Sequence, residues 1–417
     1  MSRHRLHLLA LLFIVVSCQH SRMPAVSVWS GTVELMQGKL LPFRMSLDLS
    51  SKPPSGYFMI GEEKTPIPEI SQNEDSLILR FSEYGAEMHG DWDGNNLVGT
   101  YLRIRSTGTK SFPFTAMPER SPSQQQSLAV SALDGPEGNY QVLFQGEDKV
   151  DNSTVAKLWK KDGGLYGTFI APDGDYGLLS AKQLAGSLQL NRFTGWQAIV
   201  ITLEQTAGKW GGQFYAASND KPRPFVLQPR ADLNMEPPPA LRTAMKPSAK
   251  EFTFSGLSLA GETIRSTDDR FKGKALIIDI MGTWCHNCLD EAPVLQQLQQ
   301  EFGKDGLEIV GLSFEISEDP SVARKNLQLY KERFGLTYTL LFCGSLDDEN
   351  VKKQIHSQLD NFFAYPTAIF IDKNRKVQRI HSGFKGPGTG EEFQLQIREF
   401  AIARSSWCDC RRGHRRC

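Results

Sequence analysis

Cysteine is scarce in this chain. Seven cysteines fall among 417 residues, too few and too scattered to staple a fold with disulfides. An excess of charge of one sign is missing as well: Lys and Arg total 47, Asp and Glu total 47, and the formal net charge is +0. That balance gives no case for nucleic acid or an anionic surface as a partner. Past the N-terminal segment, no apolar run approaches the roughly 20 residues that a membrane-spanning helix needs. Nor is there a phosphate-binding glycine loop, a pair of spaced histidines or a second C-x-x-C to complete a zinc site. No organic cofactor or metal is therefore expected. The length calls for two or three domains.

The N-terminal segment has the shape of a secretory signal. Arg3, His4 and Arg5 precede the apolar stretch Leu8 to Val16, which is too short to span a bilayer. Ser17-Cys18 at its end resembles a bacterial lipobox. The resemblance implies that residues 1–17 are removed, that Cys18 is lipidated, and that the mature protein is tethered outside the cytoplasm. Gln19, where Asp would otherwise follow the cysteine, favours the outer membrane by the same resemblance.

Residues 24–232 hold short alternating segments such as Met45-Ser46-Leu47-Asp48-Leu49 and Leu77-Ile78-Leu79-Arg80-Phe81, bounded by Gly, Pro, Asn and Asp. This pattern predicts antiparallel β structure. Leu47 and Leu158 stand 111 positions apart. The same offset joins Gly56 to Gly167, Phe58 to Phe169, Ser76-Leu77 to Ser187-Leu188 and Pro113-Phe114 to Pro224-Phe225. Near Gly99 and Tyr101 the offset becomes 113, with Gly212 and Phe214 as partners. Two duplicated all-β modules follow, over 24–120 and 130–232, each a small barrel or sandwich. Their aromatics (Trp92, Tyr101, Trp159, Tyr166, Trp196, Trp210, Phe214) are read as packing, with a ligand cavity as the alternative. Asp173-Gly174-Asp175 is read as a turn. A proline-rich connector over 233–250 is expected to act as a semi-rigid spacer.

From Phe252 onward strands alternate with helices, which predicts an α/β sheet. The apolar strand 275–281 leads into Trp284-Cys285-His286-Asn287-Cys288 and then a helix over about 286–302. A cysteine at the start of a helix lies beside free backbone N–H groups and the positive end of the dipole, which favours the thiolate. Thiol–disulfide exchange between Cys285 and Cys288 is the chemistry this spacing supports.

Trp284, Cys285, Cys288, Glu291 and Pro293 compose W-C-x-x-C-x-x-E-x-P. They are joined by Tyr365-Pro366-Thr367 ahead of a strand and by His381-Ser382-Gly383-Phe384. On these residues 251–404 resembles the TlpA/ResA-like thioredoxin-fold disulfide oxidoreductases. The resemblance implies that Cys285 attacks, Cys288 resolves, and the two close a redox disulfide. It implies that Pro366 is a cis-proline whose neighbours Tyr365 and Thr367 meet the substrate chain. It also makes Glu291 a buried carboxylate that exchanges the proton of Cys288. Asp279, inside an apolar strand, holds the position of thioredoxin's buried acid. Trp284 is expected to shield the disulfide. His286 would stabilise the Cys285 thiolate if protonated and do little as a solvated side chain. Cys343 is read as a buried apolar residue. The tail 405–417, with Cys408, Cys410 and Cys417, departs from the family and is expected to be disordered.

The expected whole is a multidomain, membrane-tethered enzyme that reduces protein disulfides and is recharged by an upstream membrane thiol reductant. Two alternatives stand beside it: a peroxiredoxin-like thiol peroxidase, and a ligand-binding lipoprotein whose β modules carry the main role.

Overall fold

A computed structural model describes residues 26–105, 108–119, 135–146, 150–184, 187–233, 242–346 and 349–402. The signal segment 1–17, Cys18, residues 234–241 of the connector and the tail cysteines lie outside the described residues.

The alternating segments of the first half form two nine-stranded antiparallel sheets. The first contains β1 (Val26–Glu34), β2 (Leu40–Asp48), β3 (Ser55–Ile60), β4 (Glu63–Pro66), β5 (Glu69–Gln72), β6 (Ser76–Phe81), β7 (Ala86–Asp93), β8 (Asn96–Arg105) and β9 (Gly108–Pro118). Its order is β4-β3-β2-β1-β9-β8-β7-β6-β5, an open half-barrel. The second contains β10 (Gly138–Gln145), β11 (Val150–Lys161), β12 (Gly164–Ala171), β13 (Gly174–Asp175), β14 (Leu179–Leu184), β15 (Ser187–Phe193), β16 (Ala198–Thr206), β17 (Lys209–Ala216) and β18 (Arg223–Pro229). It repeats the same path, but β12 pairs with both β11 and β14, so the sheet closes into a barrel.

The duplication is visible in the register. Leu47 faces Gly56 across β2 and β3, and Leu158 faces Gly167 across β11 and β12. Gly99 and Gly212 answer one steric demand. A Cβ on Gly99 would lie 1.9 Å from the His89 carbonyl oxygen, and one on Gly212 would lie 1.6 Å from that of Thr202. No side chain fits there.

The modules interlock through β15, which is buried on both faces. Leu188 and Leu190 fill the closed barrel, while Phe193 enters the open one. Its ring lies 5.0 Å from those of Phe43 and Phe58 and 5.2 Å from that of Tyr101. Burying such a side chain stabilises by about 1.5–3 kcal/mol, with edge-on aromatic contacts adding to it. The aromatics singled out from the sequence thus divide. Tyr101 and Phe214 are core. Trp159 and Tyr166 stack on each other at the rim of a cavity of about 1020 Å³ between the modules and the second half.

The second half is built on β19 (Ala244–Met245), β20 (Ser255–Ser258), β21 (Thr263–Arg265), β22 (Ala275–Met281), α1 (His286–Phe302), β23 (Leu307–Glu315), α2 (Pro320–Phe334), β24 (Thr339–Ser345), α3 (Glu349–Val351), β25 (Leu359–Asp360), β26 (Thr367–Ile371), β27 (Val377–Ser382) and α4 (Glu391–Ile402). Seven of the strands order as β21-β20-β24-β23-β22-β26-β27, with β22, β23 and β24 parallel and β26 antiparallel to β22. This is a thioredoxin-like domain. Asp319 caps α2 by accepting from the Ser321 N–H, with Pro320 in the first turn and Gly335 left-handed at the end. The small β19 pairs with β25, so the end of the expected spacer is hydrogen-bonded to the domain that it leads into.

Strand period decides what β22 presents to each side. Ile277 and Met281 face α1, α2 and Phe400 of α4; Leu276, Ile278 and Ile280 face Phe252, Phe254, Val351 and Ile355. Asp279 shares the parity of Ile277 and Met281 and so points toward α1.

Candidate active site

β22 ends at Met281, and the chain turns through Gly282-Thr283-Trp284 into α1. Cys285 is the N-cap of that helix, and its Sγ accepts from the Cys288 N–H at 3.2 Å. The two cysteines form a disulfide with Cα atoms 5.3 Å apart. Cys285 is 6% exposed and Cys288 0%, so an incoming chain can reach only the first sulfur. The Tyr365–Pro366 peptide bond is cis, and the Tyr365 carbonyl oxygen lies 3.4 Å from Cys285 Sγ. Trp284 packs edge-on against Tyr365 at 5.4 Å, and its indole N–H donates to the Phe314 carbonyl at 2.8 Å. Thr367 is buried, donating through Oγ1 to the Ala364 carbonyl at 2.8 Å. It supports the proline loop from beneath.

Glu291 lies three residues beyond Cys288 on the same face of α1, fully buried with Asp279. The two carboxyls adjoin, and no other group hydrogen-bonds to Asp279 Oδ1 or to either oxygen of Glu291. Burial pushes the Asp279 carboxyl up to about 7. Burial, and then the charge of Asp279, hold Glu291 well above the usual carboxylate range. Near neutral pH the pair therefore keeps one proton and can give up the other, as proton exchange with Cys288 requires. The Tyr330 hydroxyl, also buried, donates to the Cys288 carbonyl at 2.8 Å.

Residues 246–380 match the AhpC/TSA family. The chain is 31% identical over 130 residues to the thioredoxin-like protein YneN of Bacillus subtilis (strain 168), covering 31% of this chain and 68% of that protein. It is 32% identical over 143 residues to the thiol-disulfide oxidoreductase ResA of Geobacillus thermodenitrificans (strain NG80-2), covering 34% of this chain and 70% of that one. The chain belongs to the ResA-like thiol–disulfide oxidoreductases. A solved thiol:disulfide interchange protein of the thioredoxin family from Chlorobium tepidum TLS is 22% identical with a TM-score of 0.27, covering 36% of this chain and 96% of that one.

Three features in and against this ResA-like domain were not foreseen. Glu315, at the end of β23, is buried and accepts from the Thr283 N–H at 3.0 Å and the Thr283 hydroxyl at 2.6 Å. It also accepts from the Ser313 hydroxyl, and so fixes the turn that carries Trp284 and Cys285. Nothing in the sequence marks it beyond an acid closing an apolar strand.

The second feature concerns His286, which is neither a freely solvated side chain nor part of a hydrogen-bonded ion pair: its side chain is only 14% exposed. It lies 5.3 Å from the Trp196 ring of the closed barrel, and its Nε2 is buried without a hydrogen bond, 3.5 Å from Asp290 Oδ2. Burial, and then the Arg192 charge, hold its pKa well below the ordinary value. The imidazole is neutral.

The third is Asp175, read from sequence as part of a turn. Its Oδ1 accepts from the Gly386 N–H at 2.5 Å and its Oδ2 from the Gly177 N–H at 2.9 Å. Among the described residues, Asp175, His286 and Asp290 form the one group whose donor types suit a cation, with ligand atoms within 4.8 Å of one another. Arg192, paired bidentately with Glu63 at 2.8 and 3.0 Å, already supplies positive charge to all three. Cys343 is buried on β24, and burial raises its thiol far above the ordinary value.

Proposed function

We propose that this enzyme reduces disulfides of proteins outside the cytoplasm, on a lipid tether at Cys18, and is returned to its dithiol form by an upstream membrane thiol reductant. The observation that carries the reading is the division of labour at α1: a reachable Cys285 beside the Tyr365 carbonyl, and a buried Cys288 one turn from a proton-exchanging carboxyl pair. The Cys285 thiolate attacks one sulfur of the substrate disulfide, forming a mixed disulfide and releasing the other sulfur as a thiolate. Cys288 passes its proton to the Asp279–Glu291 pair and attacks Cys285 Sγ. The enzyme disulfide closes, the second substrate thiol leaves, and two electrons have passed to the substrate.

The neutral His286 supports the reducing direction. A positive charge beside Cys285 would stabilise the reduced thiolate and make the disulfide more oxidising; here that charge is absent. The tether and the compartment rest on the basic start, the short apolar stretch and Cys18. Three measurements test the reading. Cys288→Ser should accumulate a mixed disulfide with a disulfide-bonded test protein while Cys285→Ser does not. Equilibration of the full chain in thiol buffers should give a potential near about −270 mV; a value near about −120 mV would make it an oxidant. Radiolabelled palmitate incorporation that Cys18→Ser fails to abolish would refute the tether.

A further inference from the structure

We propose that the turn Pro172–Asp175 of the closed barrel is a built-in wall of the redox site, which confines protein substrates to the Trp284–Tyr365 side of the disulfide. The proposal rests on the reading of protein disulfides as substrates and adds a specificity element from outside the thioredoxin-like domain.

The turn sits on the second residue after the attacking cysteine and on the segment beside the cis-proline. Asn287 Nδ2 donates to the Asp173 carbonyl at 3.2 Å. Gly174 forms a parallel β-bridge with Phe384. Gly383, whose N–H donates to the Pro366 carbonyl at 2.8 Å, lies directly against the turn: a Cβ there would be 2.7 Å from the Pro172 carbonyl oxygen. Gly174 admits no side chain either. Its φ is +142°, and a Cβ would lie 1.9 Å from Asn287 Nδ2 and 2.6 Å from the Phe384 carbonyl oxygen. Backbone therefore meets backbone along this seam.

The position matters because β27 is the edge strand of its sheet. The chain that follows it, 383–386, carries backbone groups that an extended polypeptide could pair with. The barrel turn pairs with them instead. Further anchors hold the turn in place: Asp175 on the Gly386 N–H, Lys157 Nζ on the Thr389 carbonyl at 3.3 Å, and Trp196 over His286. With the 383–386 segment covered and Cys285 only 6% exposed, an extended substrate chain is left the other side of the disulfide, beside Trp284 and Tyr365, whose carbonyl lies 3.4 Å from Cys285 Sγ. A small disulfide fits such a window, whereas a disulfide set in a bulky fold meets the barrel.

The test compares full-length Gly174→Val and Asp175→Ala with the parent enzyme. One substrate is a folded protein with a surface disulfide and the other a small aromatic disulfide, with kcat/KM measured for each. Gly174→Val cannot keep the seam; Asp175→Ala removes the acceptor for the Gly386 and Gly177 N–H groups and the Thr168 hydroxyl, and leaves backbone geometry permissive. Faster amide exchange at residues 383–386 reports that the turn has lifted. The expected result is a rise of about threefold to tenfold in the protein-to-small ratio of kcat/KM, of the order that removing a steric bar produces. An unchanged or lowered ratio with the turn lifted overturns the wall. If Gly174→Val does not fold, Asp175→Ala decides alone. If the parent enzyme leaves every protein disulfide intact yet turns over the small one, the substrate reading itself falls, and the wall with it.

Discussion

Asp279→Asn should stabilise the thioredoxin-like domain, and by an amount that grows with pH. The carboxyl is 1% exposed and lies against Glu291 within the apolar layer between β22 and α1. Its pKa is raised from 3.8 to about 7 in the folded chain. An acid with a raised folded pKa favours the folded state below its unfolded value. That favourable contribution is lost as pH rises through the folded value, because the unfolded chain ionises freely and the folded chain must ionise in a dry site. At about 1.4 kcal/mol per pH unit, the interval from 3.8 to about 7 corresponds to about 4 kcal/mol. Asparagine keeps the shape and carries no charge. The variant should therefore be within about 1 kcal/mol of the parent at pH 4 and more stable by up to about 4 kcal/mol at pH 8. Amide exchange of residues 275–281 across a urea series reads this domain separately from the β modules. A stability difference that does not change between pH 4 and pH 8 would refute the buried, uncompensated carboxyl. A variant less stable at pH 8 would show that the carboxylate is held by a strong donor instead.

The other expectations are more local. Glu291→Gln should change stability little near neutrality, since burial already holds the parent carboxyl toward its protonated form. It should nevertheless slow resolution of the mixed disulfide by about 100-fold, the low end for general acid–base catalysis, as seen by rapid quench and gel separation. Trp196→Ala uncovers His286, which can then be protonated below its ordinary value of 6.5. The disulfide should become more oxidising at pH 5.5 and be unchanged at pH 8, and His286→Ala in the same chain should cancel the effect. Tyr330→Phe removes the buried hydrogen bond to the Cys288 carbonyl. It should cost about 0.5–1.5 kcal/mol, the net worth of one hydrogen bond, because the carbonyl keeps its place in the helix ladder, measurable by the same exchange method.

The redox half was legible because its signals are local and periodic. The apolar run 275–281, the W-C-x-x-C step and the helix beginning at residue 286 sit next to one another in the chain, and the period of two alone places Asp279 on the side of α1. The duplication was legible because a repeated register demands repeated residues, and Leu47–Gly56 and Leu158–Gly167 are cross-strand partners. The seam between barrel and redox site was not. Trp196 and His286, or Asp175 and Gly386, meet through the docking of whole domains, and such a contact leaves no spacing or period to read. His286 shows the consequence: its neighbours in sequence are the catalytic cysteines, but its protonation is governed by burial beneath a tryptophan from another module and by Arg192. The closure of one sheet and not the other was equally hidden, because it depends on β12 reaching β14, a pairing of only two residue pairs.

The 111-residue offset gives the seam a structural logic. Carried along the repeat, it maps Gly61-Glu62-Glu63-Lys64 of the open module onto Pro172-Asp173-Gly174-Asp175 of the closed one. Both segments join equivalent strands, β3 to β4 and β12 to β13. In the open module this turn meets the next unit: Glu63 pairs with Arg192 at 2.8 Å, and Glu62 with Lys161 at 3.2 Å. In the closed module the equivalent turn also meets the next unit, which is the redox domain, through Asp173, Gly174 and Asp175. One repeated element thus meets a different surface in each copy, the closed barrel in the first and the redox domain in the second, while Arg333 of α2 also reaches back to Glu83 and Tyr84 of the open module. The chemistry of the two copies has diverged to suit. Toward a barrel the turn offers carboxylates to Arg192 and Lys161. Toward the active site it offers a carbonyl, a glycine and one carboxylate aimed at a backbone N–H, contacts that place no net positive charge beside Cys285. These contacts hold the redox disulfide against the closed barrel, so a partner approaching Cys285 must fit the Pro172–Asp175 turn as well as the disulfide itself.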